Sequence, residues 1–552
     1  MPKTSQLANI VRHRYQRTRV NLQINRLSSQ VYLHTHPNPD IKPVVFFNAS
    51  TRLVGMSLNA AFGLLTSWAL RLQNVPVIHF VCQAGMSRCV LGTDRNDYSK
   101  SPPCRACITQ SRWLYSSALV IPFSYQTNPT LVDSLHALSL DRLMEFEYPS
   151  CTGMAKSVTS STTPPLPLGQ LVLPSIRWVL RRHTLQDDDP TRSLYREYIL
   201  SADRVAREFS AFLDHTDPQA VILFNGQFFP EATVRWVSMQ SGFRTITHEV
   251  GLQPFSAFFT TGEATAYPLQ VPDDFELNDS QNDRLDIYLS QRFQGQFSMA
   301  GVRFWPEMKG LDSAFLQKAN AFKQVVPIFT NVIFDTSQPH SNVVFPHMFA
   351  WLDLLLEIIR NHPETLFVVR AHPDEIRPGK SSQESVSQWM TQNNTTSLNN
   401  FIFIDSDQPL SSYELIQRSK FVMVYNSTIG LEASIMGVPV LCAGRARYTQ
   451  LPTVFFPATP QAFSQQAEDF LAVEEISLPP EFKHNARRFL YYQLYRSSLP
   501  FTDFLQADGI WQGFVRLKKI KPISLSPATS PSIKTILSGI LENGDFLLSS
   551  DL

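Results

Sequence analysis

The segment Tyr425-Asn-Ser-Thr-Ile-Gly-Leu-Glu432 joins a predicted strand to a predicted helix through small residues that carry hydroxyl and amide groups. A helix start favours phosphate, because its backbone N–H groups are unpaired and its dipole end is positive. We therefore expect Asn426, Ser427 and Thr428 to contact a phosphate group. The alternative is that Ser427 or Thr428 only caps the helix. Glu432 does not fit a capping box, so we expect it to be free to accept hydrogen bonds from a ribose.

A second polar turn, Arg370-Ala-His372-Pro373, follows another apolar strand. The imidazole of His372 can donate a ring N–H to a phosphate oxygen, and Arg370 adds a charge-assisted contact if its side chain faces the cleft. Asn331 follows a third strand, and its side chain is expected at the same edge of the sheet. These three residues extend the predicted donor site. A histidine that only stabilises its own loop is the alternative for His372.

The first half of the chain offers one candidate catalytic acid or base, in His248-Glu249-Val250-Gly251. Removing a proton from an acceptor hydroxyl needs a carboxylate or a histidine that faces the donor from the opposite domain. Glu249 is therefore the predicted general base, and His248 is the substitute. The alternative is that both residues only brace a tight turn.

Four of the six cysteines form a cluster with the spacing Cys82-x6-Cys89-x14-Cys104-x2-Cys107. In a reducing compartment such a cluster favours a metal over disulfides, and four thiolates match structural zinc. Two interpretations stay open, one structural zinc ion or four unligated thiols. A catalytic zinc is disfavoured, because four thiolates leave no open position. No cofactor is expected for catalysis.

Alternating strands and helices must position these turns. The pattern predicts an α/β protein of two Rossmann-like, doubly wound domains that face a cleft, with helices at the C-terminus. The expected N-terminal domain spans 1–300, carries the cysteine cluster and lies on the acceptor side. The expected nucleotide-sugar-binding domain spans 301–475. C-terminal helices are predicted over 476–520, and a tail over 521–552.

The chain has 552 residues and a formal net charge of +1, without a long basic or acidic run. A nucleic acid is therefore not expected as a partner. The start lacks the apolar core of a signal peptide, and no apolar stretch reaches the length of a membrane span. The sequence predicts a cytoplasmic protein that can associate peripherally with the inner face of the plasma membrane.

Three segments together resemble a known family: Arg370-Ala-His372-Pro373-Asp-Glu375, the Tyr425–Glu432 turn, and Gly437-Val-Pro-Val with Gly444 beyond it. They resemble the capsule polysaccharide biosynthesis proteins and the related bacterial sialyl- and Kdo-transferases of the GT-B fold. The resemblance covers about 320–460. It implies that the His-Pro and Ser/Thr motifs hold the phosphate of a nucleotide donor.

In that family an acidic-acidic-glycine motif of the N-terminal half supplies the catalytic base. His248-Glu249-Val250-Gly251 keeps one acid and the glycine, but has valine where the family has its second acid. The resemblance therefore implies a catalytic role for Glu249 with an altered motif around it.

The leading hypothesis is an inverting, metal-independent glycosyltransferase. It would move a sugar from a nucleotide-sugar donor to a glycan or lipid-linked glycan acceptor of a capsular or O-antigen-type surface polysaccharide. A polyol-phosphate transferase of the teichoic-acid type and a nucleotide-sugar epimerase are the enzymatic alternatives. A zinc-stabilised interaction scaffold is the alternative outside enzymes.

Overall fold

The computed structural model describes residues 3–49, 55–150, 164–294, 309–510 and 513–549. The predicted domain boundary at residue 300 lies outside these residues, so the domain limits stay a prediction.

The described residues form fifteen strands in three sheets. The strands are β1 Val44–Asn48, β2 Met56–Ser57, β3 Val77–Cys82, β4 Leu119–Phe123, β5 Ala220–Phe224, β6 Thr245–Val250, β7 Ser256–Thr261, β8 Gln324–Phe329, β9 Thr365–Arg370, β10 Phe401–Ile404, β11 Val422–Val424, β12 Val440–Cys442, β13 Leu499–Pro500, β14 Leu505–Ala507 and β15 Phe514–Leu517.

Eighteen α-helices surround the sheets in the same part of the chain. They are α1 Lys3–Leu33, α2 Leu58–Leu72, α3 Cys104–Leu114, α4 Pro129–Leu135, α5 Leu140–Met144, α6 Leu168–Leu180, α7 Asp189–Thr216, α8 Glu231–Gln240, α9 Asp279–Phe293, α10 Ser313–Ala319, α11 Gln338–Ser341, α12 Met348–Asn361, α13 Val386–Gln392, α14 Ser412–Gln417, α15 Ile429–Ile435, α16 Pro460–Ala472, α17 Pro480–Tyr491 and α18 Pro531–Leu541.

The first sheet has the strand order β13-β7-β6-β5-β1-β3-β4. Its five central and outer strands β6, β5, β1, β3 and β4 are parallel, whereas β7 and β13 run antiparallel to their neighbours. Continuous apolar runs such as Ala220–Phe224 suit parallel strands, because helices cover both faces of such a sheet. Successive strands are added on one side of β1 (β3, β4) and then on the other (β5, β6), and ligands bind at such a topological switch point.

The second sheet is parallel throughout, in the order β10-β9-β8-β11-β12. Strands β8 and β9 are buried along their whole length. Here the strand order switches between β8 and β11, which end next to Asn331 and Asn426. Two doubly wound sheets, each with a switch point, confirm the predicted fold class of two Rossmann-like domains.

The C-terminal region differs from the prediction of helices over 476–520. Helix α17 and the helical turn Tyr492–Arg496 fit the prediction, but three short strands follow them. Pro500 cannot continue a helix, and buried Val515 and Leu517 alternate with half-buried residues in the two-residue period of a strand. Strand β13 returns to pair with β7 of the first sheet.

The predicted tail over 521–552 is also corrected, because it contains α18. Ile533, Ile536, Leu537 and Ile540 form one buried stripe on this helix, at the spacing of an amphipathic helix. The stripe packs into the core of the first domain, together with residues of α1 and α2. The end of the chain therefore belongs to the first domain. Among the described residues, no helix is both long and apolar enough to cross a bilayer.

Candidate functional site

A cavity of about 1100 Å³ lies between the two sheets and is lined from both halves of the chain. Seven of the nine residues predicted for catalysis or donor binding line it. They are His248 and Glu249 from the first half, and Asn331, His372, Asn426, Ser427 and Thr428 from the second. Two segments about 180 residues apart in sequence thus present the predicted base and the predicted phosphate turn to one space.

Glu249 lies at the end of β6 and is held by three donors. Asn225 Nδ2 donates to Oε2 at 3.0 Å, Asn59 Nδ2 donates to Oε1 at 3.2 Å, and the Val250 backbone N–H donates to Oε1 at 3.0 Å. Burial raises the pKa of Glu249, and these hydrogen bonds oppose the rise in part. A fixed carboxylate with a raised pKa that lines a cavity has the properties of a general base.

His248 is joined to Glu249 through Asn59. The His248 Nδ1 lies 3.3 Å from Asn59 Oδ1, and Asn59 uses its amide nitrogen for Glu249. Burial among aromatic rings, including Phe62 and Phe259, lowers the pKa of His248 to about 3, so the ring is neutral. His248 Nδ1–H donates to the Asn59 oxygen and so orients the Asn59 amide. The Asn59 amide nitrogen in turn orients the Glu249 carboxylate.

Asn59 and Asn225 were missed by the sequence analysis. Asn59 lies in the first turn of α2, two residues after the cap Ser57, and Asn225 follows β5 in a left-handed backbone conformation. Asn59 lies 190 residues from Glu249 in sequence, and Asn225 lies 24 residues from it. Polar residues directly after β5 were a usable signal for Asn225, but no sequence signal pointed to Asn59.

In the predicted phosphate turn, Asn426-Ser427-Thr428, the N-cap hydroxyl is not used to cap α15. Thr428 is the N-cap residue but makes no side-chain cap hydrogen bond. The turn is held instead through its backbone, because Tyr448 Oη donates to the Ser427 carbonyl at 2.8 Å. Gly430 permits this approach, since a Cβ there would lie 2.3 Å from Tyr448 Oη. The side chains of Ser427 and Thr428 thus line the cavity with their hydroxyls available to a ligand.

His372 presents a defined tautomer to the site. Its Nδ1 accepts a hydrogen bond from the Asp374 backbone N–H at 3.1 Å, so the proton of the neutral ring is on Nε2. Burial lowers the pKa of His372, while Asp374 and Asp335 act in the opposite direction. The residue lines the cavity. A neutral ring with an Nε2–H is the form that donates to a phosphate oxygen.

Two asparagines beside the second switch point carry buried side-chain oxygens. Within the described part of the chain, Asn331 Oδ1 and Asn426 Oδ1 have no hydrogen-bond partner. The Asn426 amide nitrogen donates to Ser341 Oγ, which fixes the direction of the side chain. A buried polar atom without a partner is costly unless a ligand or water completes it. Both oxygens are therefore candidates to accept from donor hydroxyl or amino groups.

Glu432 does not lie in the cavity, and the prediction that its carboxylate is free for a ribose is wrong. The carboxylate is almost fully buried, where it pairs with Arg292 at 2.6 Å and accepts from Tyr413 Oη at 2.5 Å. The reason is the phase of α15. The hydroxyl-bearing residues Ser427 and Thr428 precede the helix and line the cavity. Glu432 is the fourth residue of α15, and at that position its side chain points to α9 and α14.

Arg370 is likewise not among the residues that line the cavity. Its guanidinium is buried, and burial lowers its pKa to about 10. The condition for its predicted phosphate contact, a side chain that faces the cleft, is not met.

Other cations line the cavity in its place. Arg445 and Arg447 follow β12 in the turn that begins at Gly444, and both line the cavity. The Arg447 guanidinium lies 3.3 Å from the centre of the Tyr267 ring. The Gly-Arg-Ala-Arg sequence after a strand was the signal that could have identified them. A diphosphate in this cavity would meet guanidinium groups as well as hydroxyls.

A further part of the cavity is aromatic and basic. Trp178, next to the end of α6, has the Arg95 guanidinium 4.0 Å from its ring centre and Lys380 Nζ at 5.6 Å. Arg95 also donates to the Gly379 carbonyl of the second half. Aromatic faces bind sugar rings and cations alike, so this region suits a polar, cyclic ligand.

Specific contacts join the two halves of the chain. Glu263 of the first half accepts from His340 Nε2 of the second half at 2.6 Å and pairs with Arg235 at 2.9 Å. Glu384 of the second half accepts from the backbone N–H groups of His183 and Thr184 at 2.8 and 3.0 Å. These hydrogen bonds link the two halves of the chain directly.

The four clustered cysteines line one small cavity of about 20 Å³. Burial raises the pKa of Cys82, Cys89 and Cys107 to about 12. Over the described ranges, no group of three or more histidine, cysteine, aspartate or glutamate side chains is placed to hold a metal ion. The zinc site stays a prediction, and elemental analysis of the purified protein tests it.

Residues 319–453 match the model of a family described as capsule polysaccharide biosynthesis protein. The matched stretch contains the turns with His372 and with Ser427, so the predicted resemblance is confirmed for that part of the chain. A comparison with curated proteins found no match.

Among solved structures, the chain is similar to two KpsC proteins of Thermosulfurimonas dismutans. The one described as β Kdo 2,4 transferase is 10% identical over 50% of this chain and 80% of that chain, with a TM-score of 0.32. The β Kdo 2,7 transferase is 14% identical over 56% and 85%, also with a TM-score of 0.32. A UDP-GlcNAc 2-epimerase from Neisseria meningitidis, bound to UDP-GlcNAc, is 11% identical over 82% and 99%, with a TM-score of 0.20.

Proposed function

We propose that this protein transfers a sugar from a nucleotide-linked donor to an acceptor hydroxyl, with Glu249 as the general base. One observation carries the proposal. A fixed carboxylate with a raised pKa lies on the first-half side of a 1100 Å³ cavity, and the hydroxyls of Ser427 and Thr428 lie on the second-half side. A cavity of this size holds a nucleotide sugar together with the end of an acceptor.

The donor binds the second half in this proposal. Ser427 and Thr428 donate to its phosphate oxygens, and Arg445 and Arg447 balance the phosphate charge. The Nε2–H of His372 donates to the phosphate that leaves. The donor sugar then extends from the second half towards Glu249.

The proposed reaction is a single displacement. Glu249 accepts the proton of the acceptor hydroxyl as its oxygen attacks the anomeric carbon, and the bond from that carbon to the phosphate breaks. Attack from the face opposite the leaving phosphate inverts the anomeric configuration. The guanidinium and imidazole donors stabilise the charge that develops on the phosphate, which supports a reaction without a divalent cation.

The acceptor is proposed to be a surface polysaccharide of the capsular or O-antigen type. The family match over 319–453 supports this class. The aromatic and basic region around Trp178 and Arg95 gives the acceptor a place to bind on the first-half side of the cavity.

The test uses CMP-, UDP-, GDP- and CDP-linked sugars with the full chain. We expect one nucleotide class to raise the melting temperature, since a ligand that binds only the folded state stabilises it. With that donor and a glycan acceptor, ¹H NMR should show a new glycosidic bond of inverted configuration. Retention of configuration would contradict the single displacement.

The same experiment separates the other enzyme classes. A polyol-phosphate transferase would place a phosphodiester in the product, which ³¹P NMR detects. An epimerase would change the sugar of the donor without any acceptor. Either result, or no binding of any nucleotide, would contradict the proposed function.

A further inference from the structure

Helix α1 has an unusual charge composition. Its 31 residues contain no aspartate or glutamate. They contain six basic residues, Lys3, Arg12, Arg14, Arg17, Arg19 and Arg26. The whole chain has a net charge of only +1. Positive charge is therefore concentrated on this helix and offset elsewhere in the molecule.

One face of α1 packs on the first domain. Val20, Ile24, Leu27 and Val31 are buried in the domain core, at the spacing of one helical face. The helix is therefore anchored by this stripe, and the opposite face points away from the protein.

The outward face carries a second apolar stripe. Val11, Tyr15, Leu22 and Leu33 are 63%, 68%, 57% and 72% exposed. At 3.6 residues per turn, these four positions fall within about 40° of one another around the helix axis. Thr18 and Ser29 lie on the same face between these residues, so apolar and hydroxyl side chains share it. Exposed apolar side chains grouped on one face of a helix indicate a binding surface.

Arginines border this stripe on both sides. By the same helical geometry, Arg12, Arg19 and Arg26 follow it on one side and Arg14 on the other. All four side chains are exposed. Long basic side chains beside an apolar stripe can extend towards charged groups while the stripe is buried.

The segment after β15 extends the same surface. Gln23 of α1 donates to the carbonyls of Leu517 and Lys518 at 3.1 and 3.0 Å. Exposed cations follow at Lys518, Lys519 and Lys521, and Ile523 is 64% exposed. We call Val11, Tyr15, Leu22, Leu33, Ile523 and the bordering basic residues Arg12, Arg14, Arg19, Arg26, Lys518, Lys519 and Lys521 the basic face. Among the described residues, none of its cations forms an ion pair.

We propose that the basic face binds the surface of an anionic phospholipid bilayer. Its cations attract the headgroups, and its apolar stripe enters the boundary between headgroups and acyl chains. A nucleic acid would use the cations but would leave the apolar stripe in water. A second copy of the chain would bring two cationic faces together, which is repulsive. The proposal stands on this surface alone and does not depend on the sugar-transfer reaction.

The experiment is vesicle flotation of the full chain. Vesicles of phosphatidylcholine with phosphatidylglycerol at a three-to-one ratio are compared with phosphatidylcholine alone, at about 0.15 M and about 1 M salt. We expect binding to the anionic vesicles only, and weaker binding at high salt. Each arginine near an anionic surface contributes roughly fivefold to partitioning, so the triple variant Arg12→Glu, Arg19→Glu, Arg26→Glu should bind at least tenfold more weakly.

A matched control reverses three exposed cations elsewhere, Arg142→Glu, Arg360→Glu and Lys483→Glu, and changes the net charge equally. It should bind like the wild type. The double variant Tyr15→Ser, Leu22→Ser should lose binding while it keeps every charge and the wild-type melting temperature.

Several results would overturn the proposal. One is that the wild type does not bind anionic vesicles. Another is that the control variant loses as much vesicle binding as the arginine variant. A third is that the Tyr15→Ser, Leu22→Ser variant binds vesicles as well as the wild type. Tight binding of duplex DNA without vesicle binding would assign the face to nucleic acid. A wild-type dimer that the arginine variant dissociates, without vesicle binding, would assign it to a second copy.

Discussion

At the scale of single residues, the site depends on how the buried carboxylate of Glu249 is held by its neighbours. Burial raises the pKa of Glu249, and the amides of Asn59 and Asn225 limit that rise. The Arg447 guanidinium, which lines the same cavity, also lowers the pKa of Glu249 through its charge. Burial raises the pKa and these donors oppose the rise, and a raised pKa makes a carboxylate a better general base.

The pH dependence of transfer should report this arrangement. In Asn225→Asp, the donor to Glu249 becomes an acceptor with a negative charge, so the pKa of Glu249 rises further. The base works only when deprotonated, so the acid limb of kcat/KM should move to higher pH. The substitution keeps the side-chain oxygen that accepts from the Gln227 and Phe228 N–H groups. An acid limb at the wild-type position would show that Glu249 does not control the rate.

At the scale of elements, the sequence predicted the second sheet and its turns well. Continuous apolar runs marked β8, β9 and β11, and the polar residues after them were correctly expected at one sheet edge. Long, strongly patterned segments are predictable because their local preferences agree with the fold.

The predictions failed where they depended on the direction of a side chain or on a contact between residues distant in sequence. Glu432 was assigned to the cavity from its position in the chain, but the phase of α15 turns it to Arg292. Asn59 reaches Glu249 across 190 residues, and nothing local marks that contact. The strands after Arg496 were missed because each is too short to show a clear period.

The phosphate turn should depend on close packing of Gly430 against Tyr448. In Gly430→Ala, the new methyl group collides with Tyr448 Oη, so unfolding should become easier by about 1–3 kcal/mol. Adding Tyr448→Phe removes the colliding oxygen and should restore part of the loss. Urea unfolding of both single variants and the double variant measures the coupling. Strictly additive losses would contradict this packing account.

At the scale of the whole molecule, the two ends of the chain complete the first domain. Helix α1, strand β13 and helix α18 all pack with α2 or with the first sheet. Helix α2 carries Asn59 in its first turn, so the far C-terminus supports the element that orients Glu249. The hydrogen bond between His340 and Glu263 joins this domain to the second.

Packing by α18 should therefore be required for stability. Ile536→Ala removes a fully buried side chain and should destabilise the protein by about 2–5 kcal/mol. Ile523→Ala removes the same atoms at a 64% exposed position and should change stability by less than about 0.5 kcal/mol. Thermal unfolding of both variants provides the comparison. Equal stability of the two would mean that the C-terminal region is dispensable.

The central claim is that Glu249 takes the proton of the acceptor, and transfer by Glu249→Gln tests it most directly. Glutamine keeps the shape but removes the basicity, so turnover should fall by roughly 10²–10⁴-fold while donor affinity is retained. Glu432→Gln is the matched control: it breaks the buried pair with Arg292 and costs stability of about 3–5 kcal/mol, but folded protein should transfer at the wild-type rate. Wild-type turnover in Glu249→Gln would contradict the account.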